Sequence, residues 1–239
     1  MHDDPVRSQI RISIVMFALT LTAGAVDVVT FLGLGHAFSA LATGNVLLLG
    51  FGVANAPGAP IARPAEALAA FVAGVAASHS IIMRVSGRGR RWFVIALAGE
   101  VAVICGAGVY AATISGTKSL PAHAMVIVVV LLGCAMGWRS RAMIEAGIPD
   151  MPTTVVQISL AKALTDVLSF RSGPARAPAL ARARRGATVF GMFVGGVIGA
   201  LLLRLGPGPA LIGIAGFDGC VAALYSRAPR LRPPVSARH

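Results

Sequence analysis

The feature that most constrains this chain is a series of long apolar runs that recur from one end to the other. Charged residues make up only 13% of the 239 residues, about half the share that is typical of soluble domains. Each run approaches the ~20 residues that a helix needs to cross the hydrocarbon layer of a membrane. The runs cover residues 12–34, 67–83, 92–115, 122–138, 187–203 and 211–226. The sequence therefore predicts an all-α, polytopic membrane helix bundle.

The positive charge of the chain lies between the apolar runs and beyond them. The formal net charge is +12, but a nucleic-acid-binding protein would carry such charge on a foldable basic face with interleaved aromatic residues. This chain has short arginine clusters in its loops instead, and cytoplasmic loops of membrane proteins carry an excess of Lys and Arg. We therefore interpret the charge as a topology signal. The expected partner is the lipid bilayer, and no nucleic-acid partner is expected.

The arginine clusters favour six crossings over eight. Two further semi-apolar segments lie at about 37–54 and 151–169. If both crossed the membrane, the arginines of 84–91 would lie opposite the N-terminal Arg7 and Arg11, against the positive-inside rule. If both enter the membrane without crossing it, every arginine cluster falls on one side. This scheme predicts about six transmembrane helices, two re-entrant or broken helical segments, and cytoplasmic N- and C-termini.

The first apolar run also resembles a signal peptide, because the small residues Ala23-Gly24-Ala25 follow a basic start. Apolar residues continue beyond this site, and the run is long enough to span a membrane. We therefore expect a retained span.

The order of span, non-crossing segment, span, span occurs twice in this scheme. Three crossings in each half give the halves opposite orientations, as in inverted-topology repeats. The half-repeats would cover 12–115 and 122–226 of a single membrane domain, 1–239. The residues themselves give a weak signal of duplication, since Gly35 precedes Thr43 by eight positions and Gly147 precedes Thr154 by seven. The 3+3 inverted repeat is therefore a hypothesis based on topology.

The two non-crossing segments and the first span contain motifs of one known family. In the first half the chain reads Val26-Asp27-Val28 and Ala42-Thr43-Gly44-Asn45, and in the second Gly147-Ile148-Pro149-Asp150-Met151-Pro152-Thr153-Thr154-Val155. Over most of its length the chain resembles the YoaK family of bacterial inner-membrane proteins. The resemblance implies a multi-pass protein of the bacterial inner membrane and carries no established activity.

The chain departs from the family pattern at two places. Where the family usually has a Gln-Asn pair, this chain has Arg139-Ser140, and where the family usually has Thr-Gly-Thr-Leu-Thr, it has Gln157-Ile158-Ser159-Leu160-Ala161. If those polar groups contact a ligand, this chain is expected to bind a different one.

Asp27 is the first candidate for a functional site. It lies about fifteen residues into its run, and an ionisable side chain at such depth usually faces the bundle interior or a wet cavity. The alternative is a local hydrogen bond to the backbone, to Thr22 or to Thr30. We expect Asp27 to lie within reach of the polar motif that follows it and to carry the proton or ion coupling of any coupled transport.

That motif, Thr43, Gly44 and Asn45, supplies groups that satisfy the backbone where a helix is broken. Asn45 could equally cap the helix that continues through Phe51.

The second half of the chain contains a matching set of candidate residues. A further carboxylate lies between the motif of the first half and that of the second. The candidates for a substrate or ion pathway there are Asp150, Pro152, Thr153, Thr154 and Gln157, and Glu100 lies in the apolar run of 92–115. Asp150 and Pro152 also suit an ordinary helix start, which is the alternative interpretation. Arg139 and Arg141 are expected to extend towards the membrane interface at the end of their span.

The motifs give no support to an enzyme. The sequence has no HExxH, GxSxG or phosphate-cradling glycine loop, and Cys105, Cys134 and Cys220 lack the spacing of metal ligands. We expect no cofactor and no metal. The preferred function is a transporter or channel for an unknown small solute, with a polar site near the two broken segments. The alternative is a membrane scaffold or assembly protein without transport activity.

Small residues are spaced for close helix packing in the run of 187–203. Gly191, Gly195, Gly196 and Gly199 have small-xxx-small spacing, which lets helix backbones approach one another. Packing within one chain is the preferred interpretation, and a homo-oligomer is the alternative.

Overall fold

The computed structural model describes residues 5–85, 91–115, 120–146, 156–168 and 179–227. Within these ranges the chain forms eight α-helices and no strand. They are α1 (Pro5–Gly33), α2 (Ala42–Val53), α3 (Ala62–Val85), α4 (Arg91–Ser115), α5 (Ala122–Ala146), α6 (Val156–Leu168), α7 (Ala179–Leu203) and α8 (Pro207–Arg227). The prediction of an all-α bundle is confirmed.

Six of these helices are long and apolar enough to cross a membrane, namely α1, α3, α4, α5, α7 and α8. The other two, α2 and α6, have 12 and 13 residues. At about 1.5 Å per residue each is roughly 18–20 Å long, which is too short for a hydrocarbon layer of about 30 Å. The described residues therefore contain the six membrane helices that the sequence predicts.

Glycine contacts show that α1 and α7 run in the same direction. Along α7, a glycine at every fourth position packs against every fourth residue of α1: Gly191 on Phe17, Gly195 on Leu21 and Gly199 on Ala25. A β-carbon at Gly195 would overlap the carbonyl oxygen of Leu21. The two backbones are thus in direct contact, as small-residue interfaces in membranes allow. The predicted role of these glycines in packing within the chain agrees with this interface.

The other two close helix pairs also have defined directions. On α3 and α5, Gly133 packs against Ala67 and Gly137 against Phe71, so both helices run the same way. On α4 and α8 the order is reversed, because Gly108 packs against Ile212 and Gly208 against Ala112. Six alternating crossings produce these three relations. Eight alternating crossings would make α4 and α8 parallel, which disagrees with their contacts.

A polar layer divides the buried core into two apolar clusters. On α4, α5 and α8 one cluster includes Ile104, Leu132 and Ile214, and the other includes Leu97, Ala142 and Ala222. Between them lie the buried polar side chains Thr20, Thr22, Glu100, Arg139 and Asp218. The layer is formed by α1, α4, α5 and α8.

Candidate functional site

Asp27 connects α1 to the non-helical segment 34–41 that precedes α2. Its Oδ1 accepts a hydrogen bond of 2.8 Å from the backbone N–H of Ser39 and one of 2.7 Å from that of Ala40. Its Oδ2 has no hydrogen-bond partner among the described residues, and Asp27 is only 5% exposed. A carboxylate just ahead of a helix N-terminus is favoured by the helix dipole. Asp27 therefore satisfies buried backbone donors at the approach to α2.

Asn45 closes the same segment from the other side. Its Nδ2 donates to the carbonyl oxygen of Phe38 at 2.6 Å, and its Oδ1 accepts from the N–H of Phe38 at 2.8 Å. The N-cap position of α2 is occupied by Leu41, without a side-chain cap. The alternative that Asn45 caps the following helix is therefore wrong. The helix begins three residues before Asn45, so its amide turns back to the preceding segment instead.

Thr43 and Gly44 lie in the first turn of α2. The non-helical segment therefore precedes these two residues and does not include them. The chain turns at Gly35 and His36, which have positive φ angles of 113° and 61°. Gly44 packs against the ring of Phe38, while Thr43 is exposed. The hydrogen bonds of Asp27 thus reach the segment immediately before the motif.

A second polar site joins four helices around Arg139, which is 0% exposed. Its Nη2 forms ion pairs with Glu100 of α4 and with Asp218 of α8, the latter at 2.7 Å. Its Nη1 donates to the carbonyl oxygen of Leu19 at 2.6 Å and to the hydroxyl oxygen of Thr22 at 2.9 Å. The Thr22 hydroxyl donates in turn to Oδ1 of Asp218 at 2.9 Å. We call Glu100, Arg139 and Asp218 the charged cluster.

The expectation that Arg139 extends towards the membrane interface is wrong. Its guanidinium forms ion pairs with two carboxylates of neighbouring helices inside the bundle. These partners replace the water that an unpaired arginine would require. Arg141 lies on a different face and pairs with Glu145 at 2.8 Å. It also donates a hydrogen bond of 3.3 Å to Nδ1 of His79.

Asp218 is a site residue that the sequence reasoning did not identify. Its signal was present, because it is a carboxylate within an otherwise apolar run, as are Asp27 and Glu100. Thr22 carried no comparable signal, since hydroxyl side chains are common in membrane helices, where they can bond their own backbone.

The candidates of the second half are not placed by the structure. Asp150, Pro152, Thr153 and Thr154 lie outside the described residues, as does the side chain of Gln157, the second residue of α6. Their meeting with the first-half motif in one site stays a prediction. In the parts of the chain that the structure describes, no group of three or more His, Cys, Asp or Glu side chains could hold a metal ion.

Comparisons with known proteins agree with this architecture. A family model described as "Protein of unknown function (DUF1275)" matches residues 15–224. The chain is 32% identical over 152 residues to the UPF0700 transmembrane protein YoaK of Bacillus subtilis (strain 168). That match covers 62% of this chain and 64% of the relative, which is less than two thirds of the relative's length. No solved structure matches the chain.

The resemblance to YoaK that the motifs predict is thereby confirmed. The family model extends from the first membrane helix to the last, and the six apolar helices show a multi-pass membrane protein. This chain is an integral membrane protein of the DUF1275 family.

Proposed function

We propose that this protein moves a small solute across the bacterial inner membrane, as a secondary transporter or along a channel-like path between two related halves. The observation that carries the proposal is a regularity in the helix packing. Let each helix of the first half, α1–α4, be exchanged in order with its counterpart in the second half, α5–α8, so that α1 stands for α5 and α2 for α6. The set of helix pairs that pack against each other is then unchanged. The pair α1/α7 becomes α5/α3, α1/α8 becomes α5/α4, α2/α3 becomes α6/α7, α3/α4 becomes α7/α8, and α4/α8 and α1/α5 become themselves.

The glycine contacts repeat in the same way at the level of single atoms. In each of the pairs α1/α7 and α5/α3, at least one glycine of each helix faces a backbone carbonyl oxygen of the other, and four of these contacts correspond between the pairs. The contacts are Gly195 to Leu21 and Gly24 to Met192 in the first pair, and Gly74 to Cys134 and Gly137 to Phe71 in the second. Leu21 and Gly24 of α1 correspond to Cys134 and Gly137 of α5, because the same number of positions separates each residue from its counterpart. A different constant number of positions separates Phe71 and Gly74 of α3 from Met192 and Gly195 of α7.

These correspondences support two halves of opposite orientation, since α1 and α5 run in opposite directions when six crossings alternate. Transporters built from inverted repeats place their solute and ion sites near the middle of the membrane, at the interface of the repeats. The charged cluster lies at such an interface, because α4 comes from the first half and α5 and α8 from the second. Buried charges within membrane helices commonly mark substrate or ion pathways.

The proposed pathway includes both polar sites. Asp27, Glu100 and Asp218 are its described carboxylates, and the segment held by Asp27 and Asn45 is one of its two interruptions. Asp150, Pro152, Thr153, Thr154 and Gln157 would supply the matching interruption of the second half. The arginine distribution supports cytoplasmic termini for this arrangement.

Two experiments together test the proposal against the scaffold alternative. Uptake and efflux profiles of a deletion strain and its complemented parent should differ for one class of small solute. A thermal-shift screen of the purified protein with that class should then raise its Tm, because a ligand that binds the folded state stabilises it. A protein that no solute stabilises, and that copurifies with a partner protein, would instead be a scaffold.

A further inference from the structure

The charged cluster contains one acidic group more than it has basic groups. Glu100 and Asp218 are both within ion-pair distance of Arg139, and the three residues are at most 2% exposed. Among the described residues, no second basic side chain forms an ion pair with Glu100 or Asp218. From α1 the cluster receives the neutral Thr22 and the carbonyl group of Leu19. On α3 the exposed His79 accepts its hydrogen bond from Arg141, which is not part of the cluster.

An unbalanced charge at this position is costly. Apolar clusters lie on both sides of the polar layer, so water does not screen the carboxylates from either side. Transfer of an uncompensated carboxylate into such surroundings is avoided in practice by neutralisation of the group. The guanidinium of Arg139 already occupies the space between the two acids. A proton is the cation that restores balance without a further coordination shell.

We infer that the charged cluster is a proton-binding site, in which Glu100 holds the proton and Asp218 remains the carboxylate partner of Arg139. The hydrogen bonds distinguish the two acids. Asp218 has a donor for each oxygen, the Thr22 hydroxyl for Oδ1 and the Arg139 guanidinium for Oδ2. Glu100 contacts the same Nη2 that also serves Asp218. Protonation of Glu100 therefore leaves a neutral set in which both oxygens of Asp218 and both terminal nitrogens of Arg139 keep their partners.

The geometry favours Glu100 over Asp27 as the residue that exchanges protons. Unlike Glu100, Asp27 accepts hydrogen bonds at its Oδ1 from the backbone N–H groups of Ser39 and Ala40, close to the start of α2. Those bonds hold the segment 34–41, which gives Asp27 a structural role that needs no proton exchange. That the proton of Glu100 drives a solute rests on the proposed function, whereas the presence of the proton does not.

Infrared difference spectroscopy of the purified protein in lipid, between alkaline and acid pH, tests the proton site directly. The carbonyl stretching band of a protonated, buried carboxylic acid should lose one component in Glu100→Gln. The matched control is Glu145→Gln, which removes a carboxylate that is 40% exposed and should leave that component unchanged. The inference is overturned if the same component persists in Glu100→Gln.

A second variant keeps the test decisive if Glu100→Gln does not fold. In Asp218→Asn, Glu100 becomes the only counter-charge of Arg139 and should ionise, so the same band component should disappear. Asp27→Asn should retain it. Persistence of the component in Asp218→Asn would contradict the charge balance on which the proton site rests. Neither measurement needs a solute, so a failure of the transport proposal would leave this result intact.

Discussion

At the residue scale, the two polar sites use buried carboxylates in different ways. Asp27 bonds two backbone N–H groups of one nearby segment, whereas Glu100 and Asp218 share one guanidinium from another helix. The sequence could identify Asp27 and Glu100, because a carboxylate in an apolar run is unusual. It could not predict the burial of Arg139. That burial depends on Glu100 and Asp218, which are distant in sequence and meet it only in the packed bundle.

The role of Asp27 at the approach to α2 can be tested with two substitutions. Asp27→Asn keeps an oxygen that can accept from Ser39 and Ala40, so it should unfold at nearly the wild-type temperature. Asp27→Leu leaves both buried N–H groups without an acceptor, at a cost of about 1–3 kcal/mol for each. Thermal unfolding in detergent should therefore show a clear loss for Leu alone. Equal stability of the two variants would mean that these hydrogen bonds do not hold the segment.

At the element scale, the number of membrane helices could be predicted better than the position of the non-helical segment between α1 and α2. Length and hydrophobicity determine the six candidate spans, and the arginine distribution favours six crossings over eight. The motif predicts a break at Thr43, Gly44 and Asn45, but these residues lie within α2, and the non-helical segment before it is 34–41. Gly44 reads as a helix breaker in sequence, whereas in the bundle it provides room for the ring of Phe38. The turn is made by Gly35 and His36.

The contact between α1 and α7 gives a prediction with an internal control on one helix. In Gly195→Ala the new methyl group would overlap the carbonyl oxygen of Leu21. The helices must then separate, and overpacking of this kind costs about 1–3 kcal/mol. Gly186→Ala, also on α7, meets no atom within 4 Å and should be neutral or slightly stabilising, because alanine favours helix more than glycine does. Unfolding temperatures should fall for Gly195→Ala only; an equal effect of the two changes would contradict the close backbone contact.

At the scale of the whole molecule, the inverted repeat stays a prediction, which the helix packing supports more than the sequence does. The sequence signal was limited to the spacing of a few glycines and threonines, because helix packing in membranes requires small residues at contacts but tolerates many apolar residues elsewhere. The packing pattern that supports the repeat is found only when contacts between distant helices are compared. Its second interruption, within 147–155, lies outside the described residues and stays a prediction.

The orientation of the bundle is tested by reporter fusions. Fusions after Arg88 and after Arg227 should both report the cytoplasm, and one after Gly58, in the connection between α2 and α3, should report the opposite side. The reason is that the arginine clusters lie on the cytoplasmic side when α2 and α6 do not cross. A fusion after Arg88 that reports the outer side would show that α2 crosses the membrane.

The central claim, that the two halves form a path for a small solute, is tested most directly by flux into proteoliposomes. Vesicles with the folded wild-type protein should accumulate at least one of a panel of sugars, amino acids, organic acids and inorganic ions faster than empty vesicles. A proton gradient should drive that accumulation, and Glu100→Gln should lose the response to the gradient while it retains exchange of the solute across the membrane. Wild-type vesicles no more permeable than empty ones to every member of the panel would contradict the claim.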